Sequence, residues 1–429
     1  MRPFCLAFAF AICSLSAQDA AQKPASQGGL TPEETASGFV PLFDGKTGAG
    51  WRAFRGFEFP DKGWKVEDGT LHVLAKGGAG DLVTVAQYTS FDFRFAWKVS
   101  AGANSGVMYH VSEREAYPWR TGPEYQVLDD DKHQDGKNPK TAAGSLYALV
   151  AADNKKLHAV GEWNEARIVL DGDKLEHWLN GTKVVSTTLG AQEWTQLVAA
   201  SKFASMPGFG KERRGHIALQ DHGDDVWFKD LRIKELGKAK EELALFDGKS
   251  LKGWTAHLND GGKMEDVWSI QDGILVCKGK PNGYLRTEES FTNYVLEVVW
   301  RWNPKTKATG NSGVLLRMVG EDKVWPKSIE AQLQHENAGD FWNIGDYTMR
   351  TDKARTKGRN TKKLEMAEKP VGEWNTYRIT ADGPTVTLEV NGKMLNVAQE
   401  CAELAGKICL QSEGCEIQFQ SVKLGKIER

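Results

Sequence analysis

The chain has 429 residues, with 55 basic against 57 acidic side chains and a formal net charge of −2. A balance this even supplies no field for nucleic acid or an anionic membrane surface, so neither is expected as a partner. Tryptophan occurs 15 times, and its broad amphipathic ring serves binding faces as well as cores.

In chain order, residues 1–17 read as a secretory signal peptide. Arg2 supplies the positive start, 5–15 is almost wholly apolar, and Ser14, Ser16 and Ala17 offer small residues for cleavage. The apolar run falls short of the ~18 residues a membrane span requires, and no other stretch is long enough, so a secreted or periplasmic location without a membrane span is expected. Residues 18–37, rich in Gln, Ala, Pro, Ser and Gly, read as a flexible lead-in. Single helical turns are expected at 31–36 and 400–404.

From there strand signals dominate. Residues 93–99, 226–233 and 385–390 alternate apolar and polar side chains, the period of a strand with one buried face. Asp171-Gly172, Asn180-Gly181, Asp382-Gly383 and Asn391-Gly392 mark tight hairpins, because both residue types tolerate positive φ. Many short strands separated by such turns imply an all-β protein of antiparallel sandwiches.

The chain also repeats itself. Leu42-Phe43-Asp44-Gly45-Lys46 with Trp51 returns as Leu245-Phe246-Asp247-Gly248-Lys249 with Trp254. Asn104-Ser105-Gly106-Val107 returns as Asn311-Ser312-Gly313-Val314, Gly161-Glu162-Trp163-Asn164 as Gly372-Glu373-Trp374-Asn375, and Leu219-Gln220 as Leu410-Gln411. The order is kept, so two tandem domains are expected, 38–236 and 243–428. Trp51, Trp64, Trp163 and their repeats Trp254, Trp268 and Trp374 are expected in the cores. Beyond the leader, Cys277, Cys401, Cys409 and Cys415 all fall in the second half. They are compatible with buried single thiols or with a disulfide.

These motifs, with Gly-Pro-Glu-Tyr-Gln-Val-Leu-Asp at 122–129, Ser-Lys-Phe at 201–203 and Gly-His-Ile-Ala-Leu-Gln-Asp-His-Gly at 215–223, resemble the 3-keto-disaccharide hydrolase domain, also called DUF1080. The resemblance covers nearly all of the chain beyond its lead-in. It implies two tandem concanavalin A-like jelly-roll sandwiches and action on glycosides oxidised to a ketone at C3.

Glu124 and Gln126 are two apart on an expected strand and so share a face; Glu330 and Gln332 repeat the pair. A carboxyl beside an amide suits the donors and acceptors of a sugar. Asp129 and His133 follow in a loop that reads either as a divalent-metal site, as part of the sugar site, or as plain polar surface. His222, at a strand-to-turn junction, has an imidazole suited to proton exchange near neutrality. Lys202 lies in a long loop from which it can oppose a developing oxyanion. Glu124, His222, Asp129 and Lys202 are therefore the catalytic candidates. Asn104, Gln126, His133, Trp119, Tyr147 and Gln220, and in the second half Asn311, Glu330, Gln332, His335 and Glu413, are the binding candidates.

A C3 ketone acidifies the C2 hydrogen. One base, an oxyanion partner and an acid then suffice for elimination of the C1 substituent, with or without rehydration. His222 or Glu124 is the candidate base. The alternative is a non-catalytic, lectin-like pair of sugar-binding domains. His222 against Glu413, Asp129 against His335, and the missing counterpart of Lys202 mark the two halves as unequal. The first half is therefore the expected catalyst.

Overall fold

The computed structural model describes residues 30–237 and 242–427. The expected leader, and 18–29 of the lead-in, lie outside the described residues. Each half is a jelly-roll sandwich of two antiparallel sheets. In the first half one sheet runs in the order Thr182–Thr188, Lys174–Leu179, Asn164–Asp171, Phe91–Val99, Val226–Glu235, Thr70–Val73, Trp64–Glu67, with Val40–Pro41 on the flank of Val226–Glu235. The facing sheet has five strands, in the order Trp51–Ala53, Leu82–Thr84, His216–Leu219, Asn104–Val111, Glu124–Leu128. Phe91, Phe93, Phe95 and Trp97 from the first sheet meet Val107, Tyr109, Tyr125 and Val127 from the second, all essentially inaccessible to water.

The second half repeats this plan. Its eight-stranded outer sheet centres on Tyr294–Trp302 and Ile417–Lys426. Its facing sheet is wider than its counterpart, with eight strands: Trp254–Leu258, Gly283–Thr287, Lys407–Ser412, Gly313–Val319, Lys327–Gln332, Phe341–Ile344, Asn360–Thr361 and Thr356–Lys357.

Several local expectations change. Residues 30–37 are not loose lead-in. Pro32–Ala36 is a helical turn capped by Thr31, which accepts from the Glu34 N–H while the Glu34 carboxyl accepts from the Thr31 N–H. Glu34 then receives Arg94 at 3.0 Å and Arg232 at 2.9 Å, fastening the turn to the outer sheet. The turn expected at 400–404 does not form; Cys401 and Ala402 donate their N–H groups to Pro384 and Thr348 instead. The 194–214 loop opens with an unanticipated helix, Gln192–Ala199, which has no side-chain cap at Ala191 to announce it.

Asn180-Gly181 and Asn391-Gly392 turn with both residues at positive φ. At 171 and 382 the aspartate still pairs in the ladder and the turn begins at the glycine. Trp51, Trp64, Trp254 and Trp268 are core residues, but Trp163 and Trp374 are only half-buried. Their rings receive cations, Lys229 Nζ at 4.4 Å from the centroid for Trp163 and the Arg301 guanidinium at 4.1 Å for Trp374. All four second-half cysteines are free.

The halves dock through a polar seam. The Arg214 guanidinium donates to Asp382 Oδ2 at 2.7 Å, with both side chains buried. Around this pair Gln399 donates to the Gly56 carbonyl at 2.8 Å, Arg114 meets Glu403 at 2.6 Å, and Arg355 meets Glu58 at 3.0 Å. A cleft of about 790 Å³ between the halves is lined by Phe43, Phe59, Thr380, Thr387 and Glu389 among others; none of the candidate residues lines it.

Candidate functional site

Strand parity decides which side chains leave the core. On Glu124–Leu128, Tyr125 and Val127 enter the hydrophobic core while Glu124 and Gln126 occupy the opposite face. The register sets Gly106 against Gln126 and Met108 against Glu124. Gly106 is what admits the carboxyl: a Cβ there would stand 1.9 Å from Glu124 Oε1. Gln126 Nε2 donates to Asn104 Oδ1 at 3.3 Å, leaving Gln126 Oε1 buried without a partner. The next strand delivers Gln220, whose N–H bonds the Gly106 carbonyl at 2.9 Å.

Burial pushes the Glu124 carboxyl up to about 8; Lys202 opposes the shift, and Asp81 and Asp135 add to it. Lys202 is exposed, with Nζ 4.2 Å from the centroid of the Tyr147 ring. The Tyr147 hydroxyl donates to Asp135 Oδ2 at 3.1 Å. Lys202, Tyr147, Asp135 and Glu124 therefore form one electrostatic neighbourhood. His222 is exposed at its rim, its ring edge-on to His133 with centroids 6.3 Å apart. Trp119 lies against the patch of Val83, Met108, Val111 and Ala218 on the same sheet and stacks on Tyr117 at 5.4 Å. Glu124, Gln126, Asn104, Gln220, Lys202, Tyr147 and Trp119 are thus gathered on or around one sheet face, with His133 and His222 paired at its edge.

Asp129 is the candidate that the geometry removes. Its Oδ2 accepts from the Gly102 N–H at 2.6 Å and its Oδ1 from the Asp131 N–H at 3.1 Å and the Lys132 N–H at 3.4 Å. It holds a loop shut. His133 Nδ1 accepts from the Asp135 N–H at 3.1 Å, another local cap. The Asp129 carboxylate and His133 Nδ1 thus accept from backbone N–H groups rather than converging on a common point. Among the described residues no group of three or more His, Cys, Asp or Glu is arranged to hold a divalent cation.

Asp81 was not legible in the sequence. It precedes the strand Leu82–Thr84 and shares the face of Val83, two residues on. Burial, with a contribution from Asp221, raises its carboxyl to about 7, against a hydrogen bond from the Asp221 N–H at 2.8 Å. Period-two spacing from Val83 was the one available signal.

The second half carries the same frame with different fittings. Glu330 is buried and pushed up to about 8 by burial, with Glu413 adding and Arg359 opposing. A Cβ on Gly313 would lie 2.6 Å from Glu330 Oε1 and 2.3 Å from Gln411 Oε1. Arg359, from the hairpin of Thr356–Lys357 and Asn360–Thr361, supplies the cation whose position was expected to be empty. Asn311 bridges to Glu413. Gln332 departs from Gln126: its Oε1 accepts from the Leu333 and Gln334 N–H groups at 2.9 and 2.8 Å and so serves a turn. His335 is drawn to Glu368, 3.5 Å away.

Both raised carboxyls have a consequence for stability. The native state keeps their protons where the unfolded chain, at about 4.5, releases them, so stability falls as pH rises from 4.5 toward 8. Glu124→Gln/Glu330→Gln should therefore flatten the decline of the thermal midpoint across that window. A decline as steep as that of the wild type would show that the carboxyls ionise freely in the folded protein.

The family profile follows this two-unit frame. The 3-keto-alpha-glucoside-1,2-lyase-like domain profile matches residues 38–234 and again 242–425. A 3-keto-disaccharide hydrolase of Bacteroides thetaiotaomicron is 34% identical over 244 residues, 50% of this chain and 84% of that protein. A solved structure described as a glycosyl hydrolase of Parabacteroides distasonis is 37% identical, covering 48% of this chain and 98% of its own with a TM-score of 0.45. A β-glucanase of Bacillus licheniformis is 13% identical, covering 45% and 100%, at a TM-score of 0.32. With nearly all of its described length matched in two successive units, the chain belongs to the 3-keto-alpha-glucoside-1,2-lyase-like domain family.

Proposed function

We propose that the first half cleaves glycosides bearing a ketone at C3, by removal of the C2 proton and elimination of the C1 substituent. The observation that carries this reading is the Glu124 carboxyl, buried over Gly106 with a raised proton affinity and an exposed lysine at its mouth. A base works best when its pKa lies near the working pH, and a carboxylate at about 8 is far more basic than an ordinary one.

In the reaction, Glu124 takes the C2 proton and the C–H electron pair forms the C2–C3 double bond. The C3 carbonyl oxygen becomes an oxyanion opposed by Lys202. The pair then returns to expel the C1 oxygen, and Asp81, poised near neutrality, protonates the departing alkoxide. His222, open to solvent, restores the protons. Adding water across C1–C2 of the product gives net hydrolysis. The leader-like residues 1–17 support export of the chain, where it would meet extracellular glycosides.

A second reading rests on Asp81. Asp81, at the start of the strand Leu82–Thr84, lies on the face of Glu124 and its charge adds to the raised proton affinity there, so the two also make a candidate carboxyl pair for ordinary glycoside hydrolysis. Substrate preference separates the two. Cleavage of 3-keto-glucosides with undetectable cleavage of the parent glucosides is expected, measured by aglycone release. Equal rates on both would favour the carboxyl pair.

A further inference from the structure

The extra strands of the second half enlarge the face that carries Glu330. The register sets Trp342, on Phe341–Ile344, directly opposite Glu330 on Lys327–Gln332. Directly paired residues share a face with Cβ atoms ~4.5–5.5 Å apart, and Trp342 is only half-buried. In the first half no regular strand follows Glu124–Leu128. An irregular segment lies there instead, the Tyr147 N–H donating to the Glu124 carbonyl at 3.0 Å and the Gln126 N–H to the Ser145 carbonyl at 3.2 Å, so a phenol ring, Tyr147, stands where the second half has the larger indole of Trp342.

On the other side of Glu330, the bare backbone of Gly313 lets the Gln411 amide and the Glu330 carboxyl converge. Asn311 Oδ1 is buried without a hydrogen-bond partner, and its residue bridges to Glu413. Burial keeps Glu330 protonated at neutral pH, so it offers a hydroxyl donor and a carbonyl acceptor.

The elimination machinery is altered at the same time. Gly283–Thr287 pairs with Lys407–Ser412 as Leu82–Thr84 pairs with His216–Leu219, and the place of Asp81 falls to Tyr284. The Tyr284 hydroxyl is committed to Asp322 at 2.8 Å. Glu413 stands where His222 stands. What remains, beside the Arg359 cation, is a flat indole with the Glu330 and Gln411 donors and acceptors, a combination complementary to the apolar face and the hydroxyls of a sugar ring.

We infer that the second half is an anchoring site for an uncharged, unoxidised pyranose residue, its ring stacked on Trp342 and its hydroxyls bonded by Glu330, Gln411 and Asn311. This assignment does not depend on how the first half works. It gives the chain a hold on a glycan whose sugars have not been oxidised, in addition to the site for the keto-sugar.

Calorimetric titration of the full chain with sucrose, maltose and cellobiose tests it. At least one of the three should bind with one equivalent per chain. Glu124→Gln should leave that binding unchanged, Trp342→Ala and Glu330→Ala should each weaken it by about tenfold or more, and Trp342→Phe should keep part of it. Melting curves confirm that the variants fold. No binding of any of the three sugars, or binding indifferent to Trp342→Ala, would overturn the inference. So would ketoglucosidase turnover that survives Glu124→Gln and disappears in Glu330→Gln, since the second half would then be a catalyst. A wild-type protein inert toward 3-keto-glucosides but still binding through Trp342 would sink the proposed reaction and leave the anchoring site standing.

Discussion

Glu124→Gln should lower kcat on a 3-keto-glucoside by ~10²–10⁴-fold, the scale of a general base, with little change in KM. The amide has the volume of the carboxyl and fills the space over Gly106, yet it cannot accept the C2 proton. In the wild type, kcat/KM should be bell-shaped with its maximum between about 7 and 8, because Glu124 must be ionised while Asp81 keeps its proton, and this bell should be absent from the variant. Gly106→Ala should do comparable damage through position alone, because the new Cβ claims the site of Oε1. Glu413→Ala, in the other half, should leave most of the activity. A Glu124→Gln enzyme with near-normal kcat would return the role of base to His222.

The buried contact between the halves should dominate stability. Removing one partner of a buried ion pair leaves the other charge without compensation and costs about 3–5 kcal/mol. Asp382→Ala strands Arg214, which retains Thr89 Oγ1 at 3.3 Å. A fall in the thermal midpoint on the order of 10 °C is expected for domains of this size. Arg214→Met/Asp382→Leu should recover much of the loss, since an apolar pair removes the uncompensated charge. A midpoint unmoved by Asp382→Ala would mean that the pair is hydrated in solution.

The fold was readable because its signals are local and repeated. Period-two alternation, Asn-Gly turns and the duplicated motifs each specify strands without reference to distant partners, and the Asn-Ser-Gly motifs of Gly106 and Gly313 lie on the strands that pair with those carrying the carboxyls. Strand parity alone placed Glu124 and Gln126 on one face, whereas Lys202, Tyr147 and Trp119 lie in loops whose approach to that face no local pattern announces. Asp129 misled because a carboxylate that closes a loop looks, in sequence, like one that meets a ligand. Asp81, Trp342, Gln411 and Arg359 went unseen because their relevance depends on which strands become neighbours. Neighbour order in an antiparallel sheet is set by tertiary packing. Trp163 and Trp374 were placed in the core because they repeat, although the repeated feature is a half-exposed ring that receives a cation.

The free cysteines bear on where such a protein can persist. Burial pushes the Cys277 and Cys401 thiols up to about 12, and Cys409 is raised by the same cause. Exchange and oxidation both proceed through the thiolate, a species these three hardly populate at neutral pH. Among the described residues, these three buried thiols therefore neither gain from an oxidant nor suffer from a reductant. The sandwich of the second half is thus held by packing and hydrogen bonds alone at Cys277, Cys401 and Cys409, whatever the redox poise around it.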